Sequence, residues 1–207
     1  MRLILASTSP RRREILELLG VRFEVVAPLF EEIVGQGSIE EEVLDFAVQK
    51  ARSVAALNPH DMIIGSDTMI ALGSEKFGKP ADLADARRMV RALSGKTHRI
   101  YTSVAIIDGG GGPGLRTVEE VQVAMRAFND EEIAGYLACG ESLDKAGAYS
   151  IQGKGSQLIS SVRGDYLAAV GMPLRPIALY LRQRGFVFPL NVEKLYAEKS
   201  FLNWRDF

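Results

Sequence analysis

A chain of 207 residues fits one domain, or one domain with two lobes, and is long enough to bury a substantial core. Its 25 Lys and Arg nearly balance 26 Asp and Glu, leaving a formal charge of −1; this argues against a protein that coats nucleic acid and requires any anion site to be local. With 47% hydrophobic residues and one cysteine, Cys139, the chain offers no internal disulfide, no apolar run of membrane-spanning length and no signal peptide in its opening RLILA, so the cytosol is the expected compartment.

The apolar run at residues 3–6 predicts a short strand, and Ser9-Pro10 then supplies an N-cap and a proline for the first helical turn. The spacing of Ile15, Leu16, Leu18 and Leu19 predicts a helix over residues 10–19 that Gly20 stops. Alternation predicts a strand over 22–27, and Ser38 caps a helix bearing Val43, Leu44, Ala47, Val48 and Ala51 on its apolar face. Residues 62–72, MIIGSDTMIAL, are strongly β-like but read as interrupted by Gly65-Ser66-Asp67-Thr68. A helix over 82–93 precedes two longer strands, 97–107 and 117–128, joined by the flexible loop DGGGGPG at 108–114. Asp130 caps a short helix toward Cys139, residues 171–184 read as one helix despite two prolines, and the final stretch has no clear period. No repeats appear, and the pattern is that of a mixed α/β fold with a cleft between its halves.

Several constellations could carry chemistry. In SxSPRRR, residues 7–13, hydroxyls, guanidinium forks and the positive end of a helix converge at a strand-to-helix junction, which suits a triphosphate; a capped helix with solvated arginines is the plainer alternative. In GSDT, an ionised Asp67 among Ile63, Ile64, Met69 and Ile70 requires a cation or hydrogen bonds, which makes it a candidate Mg²⁺ ligand or water-activating base unless the segment is a turn. GSEKFGKP, residues 73–80, narrowly misses the P-loop pattern, because Pro80 has no hydroxyl for Mg²⁺ and disfavours helix at Lys79; Lys79 can still meet phosphate as a point charge. Glu31 or Glu32, after the strand at 22–27, could face Asp67 across a hard cation. In LDKAGAYSIQGKGS, residues 143–156, glycines allow close approach while Lys145, Tyr149 and Gln152 offer a cation, a stacking ring and a base-reading amide. The two histidines, His60 and His98, lack a serine-hydrolase setting, and one cysteine argues against zinc.

Taken together, LILASTSPRRREIL, FEVVAPLFEE, VQKA around Lys50, GSDT, FGKP, ALSGKTHRIYT and DKAGAYSIQGKG resemble the Maf family of nucleoside triphosphate pyrophosphatases, once linked to inhibition of septum formation, in order from about Leu3 to about Leu181. The resemblance implies an α/β fold similar to inosine triphosphatase, with a long mixed sheet flanked by helices in two lobes around a cleft, and a homodimer. It places the family domain at residues 1–185 and leaves 186–207 as a tail of unassigned role. It further implies hydrolysis of a triphosphate to the monophosphate and pyrophosphate with Mg²⁺ or Mn²⁺, in a cytoplasmic enzyme that prevents misincorporation and is linked to cell-division arrest. On this resemblance Asp67 is the proton acceptor and a metal ligand with Glu32, Lys50 and Lys79 are catalytic, and Ser7, Ser9, Arg11, Arg12 and Lys79 bind phosphate. Glu31 stands where many members have Asp. Arg11, Thr68 and Gln152 match the specificity positions of the dTTP/UTP branch rather than the 7-methyl-GTP branch. Other readings compatible with these residues are a pyrophosphatase for 7-methyl-GTP or another base, or a non-catalytic nucleotide-binding regulator of septum formation; nucleic acid and membrane are not expected partners.

Overall fold

The computed structural model describes residues 1–33, 35, 37–110 and 114–207. The strands are β1 (Leu3–Ala6), β2 (Glu24–Val25), β3 (Met62–Leu72), β4 (Glu75–Phe77), β5 (Thr97–Asp108), β6 (Leu115–Met125) and β7 (Ile159–Arg163). The helices are α1 (Pro10–Glu17), α2 (Ile39–Ala55), α3 (Leu83–Leu93), α4 (Asp130–Leu137), α5 (Tyr166–Val170), α6 (Leu174–Gln183) and α7 (Val192–Glu198). One mixed sheet runs β2-β1-β3-β5-β6-β7, and β4 turns back on the far end of β3. β1 is parallel to both β2 and β3, whereas β3, β5, β6 and β7 are antiparallel in succession.

β3 organises the molecule because its two faces meet different partners. Ile63 and Met69 lie against α2 in two apolar clusters, one with Ile4, Ala6, Ala51 and Val54, the other with Ile39, Val43 and Phe46. Met62, Ile64 and Ile70 face the main core, which gathers Leu3, Leu5, Ile15 and Leu16 with residues of α3 through α7. Four residues of β1, Leu3 to Ala6, pair with Met62 to Gly65, so the chain leaving β1 emerges beside Asp67.

The expected interruption at GSDT is absent: β3 is continuous, and Asp67 pairs in register with Ser103 of β5. Gly65 is there for proximity rather than for a turn, since a Cβ at that position would collide with the carbonyl oxygen of Ala47 and the backbone nitrogen of Ala51 on α2. Ser66 is tolerated because its hydroxyl donates to the Gly171 carbonyl at 3.1 Å.

Other expectations shift in detail. The cap of α4 is Asn129 rather than Asp130; its side chain accepts from the backbone of Glu131 and Glu132, and Glu132 completes a capping box. The helix expected at 171–184 begins later, as α6 from Leu174 with Pro173 at its N-cap; the shorter α5 before it was not expected and ends at Gly171, whose φ of 136° glycine alone adopts comfortably. The strand expected at 22–27 shrinks to two paired residues, and β4, β7 and α7 are additional. Strands β5 and β6 form the expected hairpin, although residues 111–113 of the glycine loop lie outside the described residues. The tail folds onto the body: Phe188, Val192, Leu195, Tyr196 and Trp204 are buried in the main core. Among the described residues, no helix is long and apolar enough to cross a membrane.

Candidate active site

A pocket of about 570 Å³ opens where β1 ends, bounded by the β1–α1 junction, α2, the middle of β3, Gly78-Lys79 after β4, residues 144–151 and the end of α5. That size is ordinary for a small-molecule site. Ser7, Ser9, Arg11, Arg12, Glu32, Lys50, Asp67, Thr68 and Lys79 all line it.

At the β1–α1 junction the three arginines part company. Arg12 turns inward and its guanidinium donates to the Gly171 carbonyl at 3.0 Å, to the Thr68 hydroxyl at 3.2 Å and to the Ser7 hydroxyl at 3.4 Å. Burial lowers its pKa, opposed by the charges of Asp67 and Glu32; a guanidinium stays charged even so. Arg11 lines the pocket and lies 4.0 Å from Asp144, whereas Arg13 is exposed and bonds Glu17 one turn along. The Ser9 hydroxyl does not cap α1; instead its backbone N–H donates to the Ser7 hydroxyl at 3.2 Å, which folds the two serines around the turn.

Opposite this cationic wall, Lys50 occupies a core-facing position of α2, one turn from Phe46, Ala47 and Val54. Only 5% exposed, its ammonium bridges the carboxylates of Asp67, itself 3% exposed, and Glu32. The pairing of Lys50 with Asp67 compensates the cost of removing these two charges from water, while Glu32 reaches the ammonium from the solvent-exposed side. The two acids respond differently. Burial raises the pKa of Asp67, and the opposing pull of Lys50 and Arg12 does not cancel it. Glu32 is also pushed up by burial, but the charge and hydrogen bond of Lys50, with Lys79 and Arg12 beyond, bring it below the ordinary carboxylate range. The deeper carboxylate is therefore the readier to take a proton.

Among the described residues, no three His, Cys, Asp or Glu side chains converge in a metal-binding group. Asp67 and Glu32 nevertheless form a pair of hard oxygen donors already shown to accommodate one cationic centre, and this donor set fits a divalent cation that draws its other ligands from water or a bound anion.

Gln152 does not line the pocket directly; it follows Ser150 and Ile151, which do. Its side-chain nitrogen is buried without a hydrogen-bond partner among the described residues. Glu31 is exposed and stands outside the pocket. Sequence reasoning missed Phe30, Asp144 and the Gly171 carbonyl. Asp144 had a visible signal beside Lys145, whose ammonium it accepts at 2.5 Å; Gly171 had none, because its role is a carbonyl presented to Arg12 from 159 residues away.

The family model described as Maf-like protein matches residues 2–184. The chain is 44% identical over 186 residues to a dTTP/UTP pyrophosphatase of Bacillus cereus (strain ATCC 10987 / NRS 248), covering 88% of this chain and 89% of that one. It is 43% identical, with 88% and 95% covered, to a dTTP/UTP pyrophosphatase of Bacillus anthracis (strain CDC 684 / NRRL 3495). A solved structure, the Staphylococcus aureus Ham1 protein, aligns with a TM-score of 0.41 and 16% identity over 60% of this chain and 72% of that one, a likeness too slight to bear on function.

Proposed function

The chain belongs to the Maf-like protein family, and on that premise we propose that it is a nucleoside triphosphate pyrophosphatase that hydrolyses dTTP and UTP to the monophosphate and pyrophosphate. The observation that carries the reading is the opposition, across one pocket, of an arginine-lined strand-to-helix junction and the buried carboxylate of Asp67 paired with Lys50.

In this reading Arg11, Arg12 and Lys79, with the hydroxyls of Ser7 and Ser9, bind the triphosphate and offset its charge. Asp67 accepts a proton from water as the water oxygen bonds to the α phosphorus; the bond from that phosphorus to the bridging oxygen breaks, and pyrophosphate leaves with the electron pair. Lys50 holds Asp67 and Glu32 in place and, with Lys79, offsets the charge that builds on the departing group. A Mg²⁺ or Mn²⁺ held by Glu32 and Asp67 would supply further neutralisation of phosphate oxygens. Gln152 reads the base: its amide can donate to O4 and accept from N3–H of uracil or thymine, and its unpartnered buried nitrogen supports that role. Arg11 and Thr68 complete the specificity set, Thr68 through its bond to Arg12. A cytoplasmic homodimer is part of the proposal, and light scattering checks the dimer.

The test is incubation of the purified protein with Mg²⁺ or Mn²⁺ and dTTP, UTP, CTP, GTP, ATP or 7-methyl-GTP, with the products identified. UMP or dTMP with pyrophosphate, and little from purines, is expected. Orthophosphate with a diphosphate would refute the α–β cleavage, and binding without turnover would favour a regulator.

A further inference from the structure

Residues 186–207 lie beyond the span matched by the family model, yet they make a specific contact with the base-reading segment. After α7 the chain turns through Leu202, whose φ of 48° is one that leucine seldom adopts, and this turn delivers Asn203 to the main body. Its side-chain nitrogen donates to the carbonyl of Ile151 at 3.0 Å. Its oxygen accepts from the Tyr166 hydroxyl at 2.5 Å, which fixes which end of the amide faces Ile151. The next residue, Trp204, stacks on the Tyr166 ring at 5.2 Å and meets Tyr196 edge-on at 5.0 Å. Tyr196 in turn donates to Asp165, the cap of α5, at 2.8 Å.

The bonded carbonyl matters because Ile151 C=O and Gln152 N–H belong to one planar peptide unit. Asn203 holds the carbonyl end, and the Ser150 hydroxyl accepts from the N–H end at 3.2 Å. Hydrogen bonds at both ends restrain the rotation of this plane and with it the direction in which Gln152 leaves the backbone.

We propose that the C-terminal tail, acting through Asn203, positions Gln152 and thereby tunes the discrimination of uracil and thymine from cytosine. Asn203 is a positioning residue and does not touch substrate. The inference rests on Gln152 reading the base, as proposed above: cytosine presents an amino donor where uracil presents O4, so discrimination depends on how firmly the Gln152 amide is aimed.

The experiment compares the full-length wild type with Asn203→Asp, Tyr166→Phe and Gln152→Ala, measuring kcat and KM for UTP, dTTP and CTP together with Tm. Asn203→Asp keeps the shape and the acceptor for Tyr166 but turns an oxygen toward the Ile151 carbonyl. It is expected to raise KM for UTP and dTTP about five-fold, the effect of one net hydrogen bond, to change kcat less than about two-fold, and to lower the UTP:CTP ratio of kcat/KM accordingly. Tyr166→Phe, which retains the ring stack, is expected to move the ratio in the same direction by a smaller factor and decides the matter if Asn203→Asp does not fold. If Gln152→Ala lowers the ratio while both tail-linked variants change only Tm, the inference is wrong and the base reading stands. If Gln152→Ala also leaves the ratio unchanged, the base reading is wrong and the inference falls with it.

Discussion

His98 is a fully buried histidine on β5, packed edge-on against Tyr149 with ring centroids 5.4 Å apart and its Nε2 2.7 Å from the tyrosine hydroxyl. Its Nδ1 has no partner among the described residues, and burial alone lowers its pKa from the ordinary 6.5 to about 4. The unfolded chain therefore binds a proton at His98 as pH falls through the ordinary histidine value, whereas the folded chain resists until about pH 4. The contribution to stability is complete above the unfolded value and is lost as the solution is acidified toward the folded one. At 1.36 kcal/mol per pKa unit the whole window corresponds to roughly 3 kcal/mol, of which about 2 kcal/mol falls between about pH 7.5 and about pH 5. His98→Gln offers Tyr149 an amide and does not titrate. Urea unfolding of both proteins at the two pH values isolates this residue from every other acid-sensitive group, because only the difference between them is read. The wild type is expected to lose about 2 kcal/mol more than the variant on acidification. Parallel losses would mean that His98 takes up its proton without leaving its site, and the burial argument would fail.

Asp67→Asn is expected to lower kcat at least about 100-fold with Tm little changed, followed by pyrophosphate release; retained turnover would remove Asp67 as proton acceptor. Lys50→Met leaves Asp67 buried without its nearest cation and is expected to cost about 3 kcal/mol in denaturant unfolding. If Asp67 and Glu32 also bind a divalent ion, Mg²⁺ should raise the Tm of this variant more than that of the wild type, because no ammonium competes; equal shifts would place the ion elsewhere. Gly65→Ala pushes α2 off β3 and is expected to lose about 1–3 kcal/mol while reducing kcat, since Lys50 rides on the displaced helix; unchanged unfolding would show that the helix yields freely.

Where local chemistry decides structure, the sequence was informative. Pro10 and the spacing of Ile15 and Leu16 reveal the β1–α1 junction, because the fixed φ of proline and helical periodicity act within a few residues, although the Ser9 hydroxyl makes no cap bond. Asp67 was conspicuous because a carboxylate in an apolar strand demands a partner, and Lys50 now supplies it. The misreading of GSDT as an interruption came from the same local rules: Gly65 and Ser66 usually punctuate, but here they answer to Ala47 on α2 and to the Gly171 carbonyl, both distant in the chain. The tail was opaque for a similar reason, since its cohesion lies in Trp204 against Tyr166 rather than in any repeating pattern. Lys50 entered only through the family resemblance, and its place on the buried face of α2, against Asp67, is visible only in the fold.

The bridge made by Lys50 has a consequence for the protein between turnovers. Its ammonium is a counterion tethered to α2, so the charge balance of the pocket floor does not depend on capturing a diffusible ion from solution. Asp67 and Glu32 are thereby kept from repelling each other apart, and because Lys50 and Asp67 are buried, added salt screens their pairing little.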